Sequence, residues 1–265
     1  MARALPLLSL AAGVLPEFSP EQTIAAAIDA GWPAAGIWYD PETWTTATTA
    51  EVRDRAADAG LAILDIEVIW LKPGADDPAH FAAIDAGAAI GARNVLIVSS
   101  DDDPASAAAK LNRIGNHAAA AGLRACLEFA AFTTVGSIES AIALIDAADC
   151  ANLGLMIDPL HLARTGGSPA DIGSVDPKRF PYAQFCDAPA LGPPPSDVPE
   201  IIREALDLRL MPGDGGLPLD DLIAALPPTT SLSIELRSAK LREKHPDPAE
   251  RARVLFAATQ RWFAA

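Results

Sequence analysis

"TAEVRDRAADAGLAILDIEVIWL", residues 49–71, holds one unit of the fold together with its junction. The first half has a helical pattern and stops at Gly60, the residue type that closes helices because it accepts a left-handed backbone. The second half is an apolar run of strand character. Helices that lead into buried strands predict parallel pairing through crossover connections.

Outward from that junction the alternation repeats along the whole chain. Strand-like runs lie at "LPLLSL" (5–10), "AAGIWY" (34–39), "RNVLIVSS" (93–100) and "RACLEF" (124–129). Others follow at "LGLMID" (153–158), "YAQFCD" (182–187) and "LSIEL" (232–236). Helical patterns separate them, three more ending at Gly31, Gly91 and Gly122, and a last helix covers about 247–263. Ser19 followed by Pro20 marks a helix start. Eight strands in 265 residues predict a single (β/α)8 TIM barrel over residues 1–265. An open doubly wound sheet is the competing architecture, but no Gly-rich phosphate loop follows the first strand. One segment breaks the rhythm: residues 188–218, rich in Pro and Gly, read as a long loop after strand seven, of the kind that covers a site.

Composition narrows the function. Half of the chain is apolar and its formal net charge is -15, with 20 basic residues. None of these form a run, so neither nucleic acid nor an anionic membrane is an expected partner. The three cysteines are widely spaced among apolar residues and read as reduced thiols of a cytoplasmic protein. Pro6, Ser9 and Gly13 interrupt the N-terminal apolar stretch, which argues against a signal peptide. No run approaches the ~20 apolar residues of a membrane span.

In a barrel, sites form where the strands end. Strand five ends at Glu128, strand six at Asp158, strand seven carries Gln184 and strand eight Glu235. Alternation puts Arg124, Cys126 and Glu128 on one face, and likewise Ser233, Glu235 and Arg237. Three buried carboxylates repel one another unless a cation lies between them. Three carboxylates and an amide oxygen form a hard set that suits Mg2+ or Mn2+ better than zinc, with Co2+ as an alternative. For any one of them, pairing with Arg124 or Arg237 is the plainer explanation.

"CLEFAAF" (126–132), "MIDPLHLARTGGSPADI" (156–172), "YAQFCDA" (182–188), "RLMPGDGGLPL" (209–219) and "LSIEL" together resemble the sugar phosphate isomerase/epimerase family with its xylose-isomerase-like barrel. The resemblance implies a divalent metal held by Glu128, Asp158, Gln184 and Glu235, with His161 of D-x-x-H contacting substrate. Gln184, where ketose 3-epimerases carry His, is similar to the hydroxypyruvate isomerase and 3-dehydroshikimate dehydratase branches. Ala190 stands where those epimerases carry Arg. The implied activity is a metal-dependent isomerase or epimerase of carbohydrate metabolism. It would act on a small polyhydroxylated sugar or hydroxy-keto substrate through an enediolate, with Glu128, Glu235 and His161 as proton-handling groups. A dehydratase of the 3-dehydroshikimate or inosose type shares the first half of that chemistry. A ligand-binding barrel without turnover is a third reading. The apurinic endonuclease relatives need several zinc-binding histidines and a basic face, which four histidines and a charge of -15 do not supply. Further substrate contacts are expected from Arg164, Glu67, Trp70, Arg209 and Arg237, with Trp38 as a second aromatic wall. A homodimer is compatible with the sequence.

Overall fold

The computed structural model describes residues 6–265. Its strands are β1 (Leu8–Leu10), β2 (Ala34–Trp38), β3 (Ala62–Leu71), β4 (Asn94–Ser99), β5 (Arg124–Glu128), β6 (Leu153–Met156), β7 (Tyr182–Phe185) and β8 (Ser231–Ile234). Seven neighbouring pairs are parallel, in the order β6-β5-β4-β3-β2-β1-β8-β7. A parallel bridge between Ile157 and Ala183 joins the two ends, with Gln184 N–H donating to Ile157 O at 2.8 Å. The sheet thus curls into the expected barrel. The first strand begins at Leu8 rather than at residue 5, which lies outside the described residues.

Helices pack around it, and their starts share one chemistry. Asp77, Asp103 and Asp247 each precede a proline and accept a backbone N–H of the first turn. The carboxylate satisfies an orphan donor while proline supplies a ready-made helical φ. Gly31, Gly60, Gly91 and Gly122 end four helices in the left-handed conformation, as expected. No helix among the described residues is long and apolar enough to cross a membrane.

The barrel interior is a small cluster of its own, Ala34, Leu64, Leu96, Cys126, Met156 and Tyr182, while the larger core lies between sheet and helices. Two glycines leave room inside for acids. A Cβ on Gly36 would stand 2.8 Å from Asp65 Oδ1, and one on Gly13 2.8 Å from Glu235 Oε1. The β3–β4 register shifts between Ile66 and Ile69, which breaks the two-residue alternation of a regular strand. Ile69 joins the outer core, whereas Glu67, Val68 and Trp70 all reach the cavity at the barrel mouth.

Residues 188–218 are not a loop throughout. Asp197 caps a helix at Val198–Asp207, which buries Ile201 and Ala205. The prolines and glycines on either side hide this helix from a reading by composition. Arg164 clamps it: its Nε and Nη2 donate to Glu204 at 2.6 and 2.7 Å, and Nη2 also to Pro189 O at 2.7 Å. The turn that follows wraps around Asp187, whose carboxylate accepts N–H groups of Gly213, Gly215 and Leu217 at 2.9–3.1 Å. These two anchors fix the segment that carries Arg209.

Candidate active site and metal centre

Glu128 closes β5, Gln184 lies within β7, Glu235 follows directly on β8, and Asp158 comes two residues after β6. The parallel barrel brings all four, buried, to one point of its C-terminal mouth. Asp158 does double duty there. Its Oδ1 caps the helix Pro159–Arg164 by accepting from Leu160 N at 2.6 Å and His161 N at 3.2 Å, leaving Oδ2 for the cluster.

Gln184 sits at the centre. With its amide turned one way, the NH2 donates to Glu128 Oε1 at 3.1 Å and to Asp158 Oδ2 and Glu235 Oε2 at 2.9 Å. Turned the other way, its oxygen faces those same three acceptors. Four oxygens then converge, with Arg209 against two of them, and a bound cation would relieve their mutual repulsion. The chemistry of this donor set fits a hard divalent ion. His161 stands beside it: one ligating atom each of Glu128, Asp158 and His161 lie within 4.8 Å of one another.

Electrostatics separates the three acids. Burial, then the charges of Asp158 and Glu235, hold the Glu128 carboxyl well above the usual range. Burial would raise Asp158 too, but Arg209 and His161 outweigh it and hold it low. Glu235 is raised by burial, with Arg209 opposing. Arg209 donates through Nη1 to Asp158 Oδ2, and its Nη2 lies 2.9 Å from Glu235 Oε2. Its Nε donates to Ala205 O at 2.8 Å, which ties the cover helix to the cluster. His161 is pushed down to about 4, chiefly by burial, so its ring is neutral at neutral pH. Its Nε2 is 3.7 Å from Glu128 Oε1, its Nδ1 has no hydrogen-bond partner, and Phe132 meets its ring edge-on at 5.4 Å.

A cavity of about 160 Å³ opens above the cluster. Trp38, Val68, Trp70, Phe132, Ile202 and Leu206 form its apolar wall, and Glu67, Arg209 and Arg237 reach it beside Glu128, Gln184, Glu235 and His161. The Arg237 guanidinium lies 5.8 Å above the Trp38 ring, and its Nε is buried without a partner. Arg164 is the expected contact that the structure places elsewhere, in the Glu204 clamp and away from the cavity lining. Sequence reading did not single out Phe132, Ile202 or the anchoring role of Asp187. The spacing of Gln184 and Asp187 in "QFCD" was the one available signal for the last.

An eight-stranded parallel barrel with three acids and an amide at the ends of β5 to β8 defines a class of barrel sites suited to oxygen-rich coordination. Residues 24–258 match the family described as "Xylose isomerase-like TIM barrel", and the chain belongs to it. A 3-dehydroshikimate dehydratase of Pseudomonas aeruginosa is 31% identical over 237 residues; the match covers 84% of this chain and 36% of the relative. This chain therefore spans about a third of that protein's length. Among solved structures, the IolI protein with a bound zinc atom superposes with a TM-score of 0.81 at 17% identity, over 97% of this chain and 98% of its own. An L-ribulose 3-epimerase superposes with a TM-score of 0.71 at 18% identity, over 98% and 95%.

Proposed function

We propose that the chain is a divalent-metal-dependent isomerase or epimerase of a small hydroxy-keto substrate. The observation that carries this reading is the convergence of Glu128, Asp158, Gln184 and Glu235 on one point beneath a cavity. These four residues would hold Mg2+ or Mn2+. When bound, such an ion polarises a substrate carbonyl and makes the adjacent C–H more acidic. Glu128 and Glu235 approach that point from β5 and β8, on either side of β7's neighbourhood in the barrel, and exchange the proton with the substrate carbon. Arg209 keeps Asp158 and Glu235 in place, and Trp38 and Trp70 exclude water from the body of the substrate.

A second reading has its own support. Glu128, whose carboxyl is held well above its usual range beside the neutral His161 ring, can return the proton it takes from carbon to a departing hydroxide, with His161 placed to hydrogen-bond that hydroxyl. This favours a dehydratase, the activity that the 31% identical relative's name carries. Turnover of ketoses, inososes and dehydroshikimate in deuterated water, followed by NMR, separates the two. An isomerase places solvent deuterium on the product carbon, whereas a dehydratase releases an unsaturated product. Glu128→Gln and Glu235→Gln are each expected to lower the rate ~10²–10⁴-fold. Full activity of both variants on a substrate that the wild type turns over would contradict the proposal.

A further inference from the structure

One pair of cavity groups has no place in the cluster or its supports. Asp65 and Glu67 point the same way from β3 and are 0% and 2% exposed. No Lys, Arg or His forms an ion pair with either among the described residues. Asp65 Oδ1 and Glu67 Oε1 have no hydrogen-bond partner, and the one protein donor near them is the Tyr182 hydroxyl, 3.5 Å from Asp65 Oδ2. Alternate positions of one strand put the two carboxyls side by side, and each shifts the other's titration.

Two neighbouring carboxylates buried without a cation repel each other strongly, and one proton held between them removes that repulsion. Position decides the division of labour. Glu67 reaches the cavity, whereas Asp65 lies deeper, in the space left by Gly36 and against Tyr182. The other groups facing the pair are Cys126 and Glu128 from β5 and Glu235 from β8, and they add no positive charge. Arg237 borders the same cavity and lies over Trp38 instead.

We propose that Glu67 is a neutral, substrate-reading carboxyl: its O–H donates to Asp65, and its free oxygen accepts a hydrogen bond from a hydroxyl of the substrate. Asp65 is the positioning residue that holds the proton on Glu67. No bond to a heavy atom forms or breaks in this step. A free carbonyl oxygen at this point accepts from a hydroxyl, which a polyhydroxylated molecule supplies. The pair keeps one negative charge, on Asp65, set back from the cavity. Burial and then the Asp65 charge raise the Glu67 carboxyl well above its ordinary range, in the same direction. The inference takes from the proposed function only that this cavity receives the substrate.

Infrared spectroscopy of the full-length, Mg2+-loaded protein tests it without turnover. The expected result is a protonated-carboxyl C=O band at neutral pH that Glu67→Gln abolishes. Asp65→Asn should make the band disappear at lower pH than in the wild type, because the neighbouring charge is gone. Erythritol, a small polyol used as probe, should shift the band to lower frequency as its hydroxyl donates to the carbonyl. Absence of the band in the wild type, its survival in Glu67→Gln, or no shift with erythritol would overturn the proposal. Failure of the isomerase reading would instead leave all three infrared results in place.

Discussion

The two sides of the barrel mouth handle polarity in opposite ways. On the β5–β8 side, Glu128, Asp158, Gln184 and Glu235 converge, and Arg209 bridges two of the acids. On the β2–β4 side, the same cavity is lined by Trp38, Val68, Trp70, Leu96 and Val98, with Glu67 as its one acid. Buried charge is tolerated on the first side because each acid faces a counter-charge or a point where a cation fits. On the second side no cation pairs with Asp65 or Glu67 among the described residues, Arg237 lying over Trp38 instead, and the proposed shared proton takes the place of a counter-charge. A small molecule placed between them is gripped along its body by one wall and worked on by the other.

The largest contrast between the sides should appear in stability. Replacing Arg209 with Met strips Asp158 and Glu235 of a buried partner, which typically costs about 3–5 kcal/mol. Trp70→Ala removes a side chain that is 39% exposed, and should cost about 1 kcal/mol. Urea denaturation of the metal-free variants checks both. Equal losses would mean that Arg209 does not carry the charge balance of its side.

A smaller effect, of opposite sign on the two sides, should appear in the pH dependence. His161 has its folded value depressed from 6.5 to about 4. Its contribution is therefore present above pH ~6.5 and lost as pH falls through that window, on the order of 3 kcal/mol in all. His161→Asn should flatten this slope. Glu67 is shifted upward, so its contribution is present at low pH and is lost as pH rises through its raised folded value. Glu67→Gln should remove that loss and make the protein relatively more stable at neutral and alkaline pH. Melting temperatures of the two variants against wild type, recorded from pH 4 upward, should diverge in opposite directions. Parallel curves would erase the distinction between the sides.

The β5–β8 side was the more legible one in the sequence. An acid at the end of an apolar run is costly enough to be conspicuous, and three of them with an amide on four successive strands direct attention to one place. Asp158 shows the limit of that signal. In the chain it is one of several Asp–Pro helix starts, like Asp77, Asp103 and Asp247, and nothing local says that its second oxygen has a different job. The strand ending two residues before it, together with its burial, makes the difference. The β2–β4 side was harder to read because a register shift in β3 defeats simple alternation: Val68 and Trp70 reach the cavity beside Glu67 while Ile69 does not. Arg164 and Arg209 looked alike as candidate substrate contacts, yet Glu204, forty positions away from the first, claims Arg164 for the cover helix. Such long-range partners are set by packing, which composition and spacing do not encode.

The central claim is that the four strand-end oxygen donors form one cation site. Titration of Mn2+ into the chelator-treated protein, followed by the paramagnetic resonance signal of free Mn2+, tests it directly. The account predicts uptake of one ion per chain by the wild type, strongly weakened in Glu128→Ala, which removes a donor without disturbing a helix cap or the Arg209 pairs. Uptake of no ion by the wild type, or uptake that Glu128→Ala leaves untouched, would contradict it.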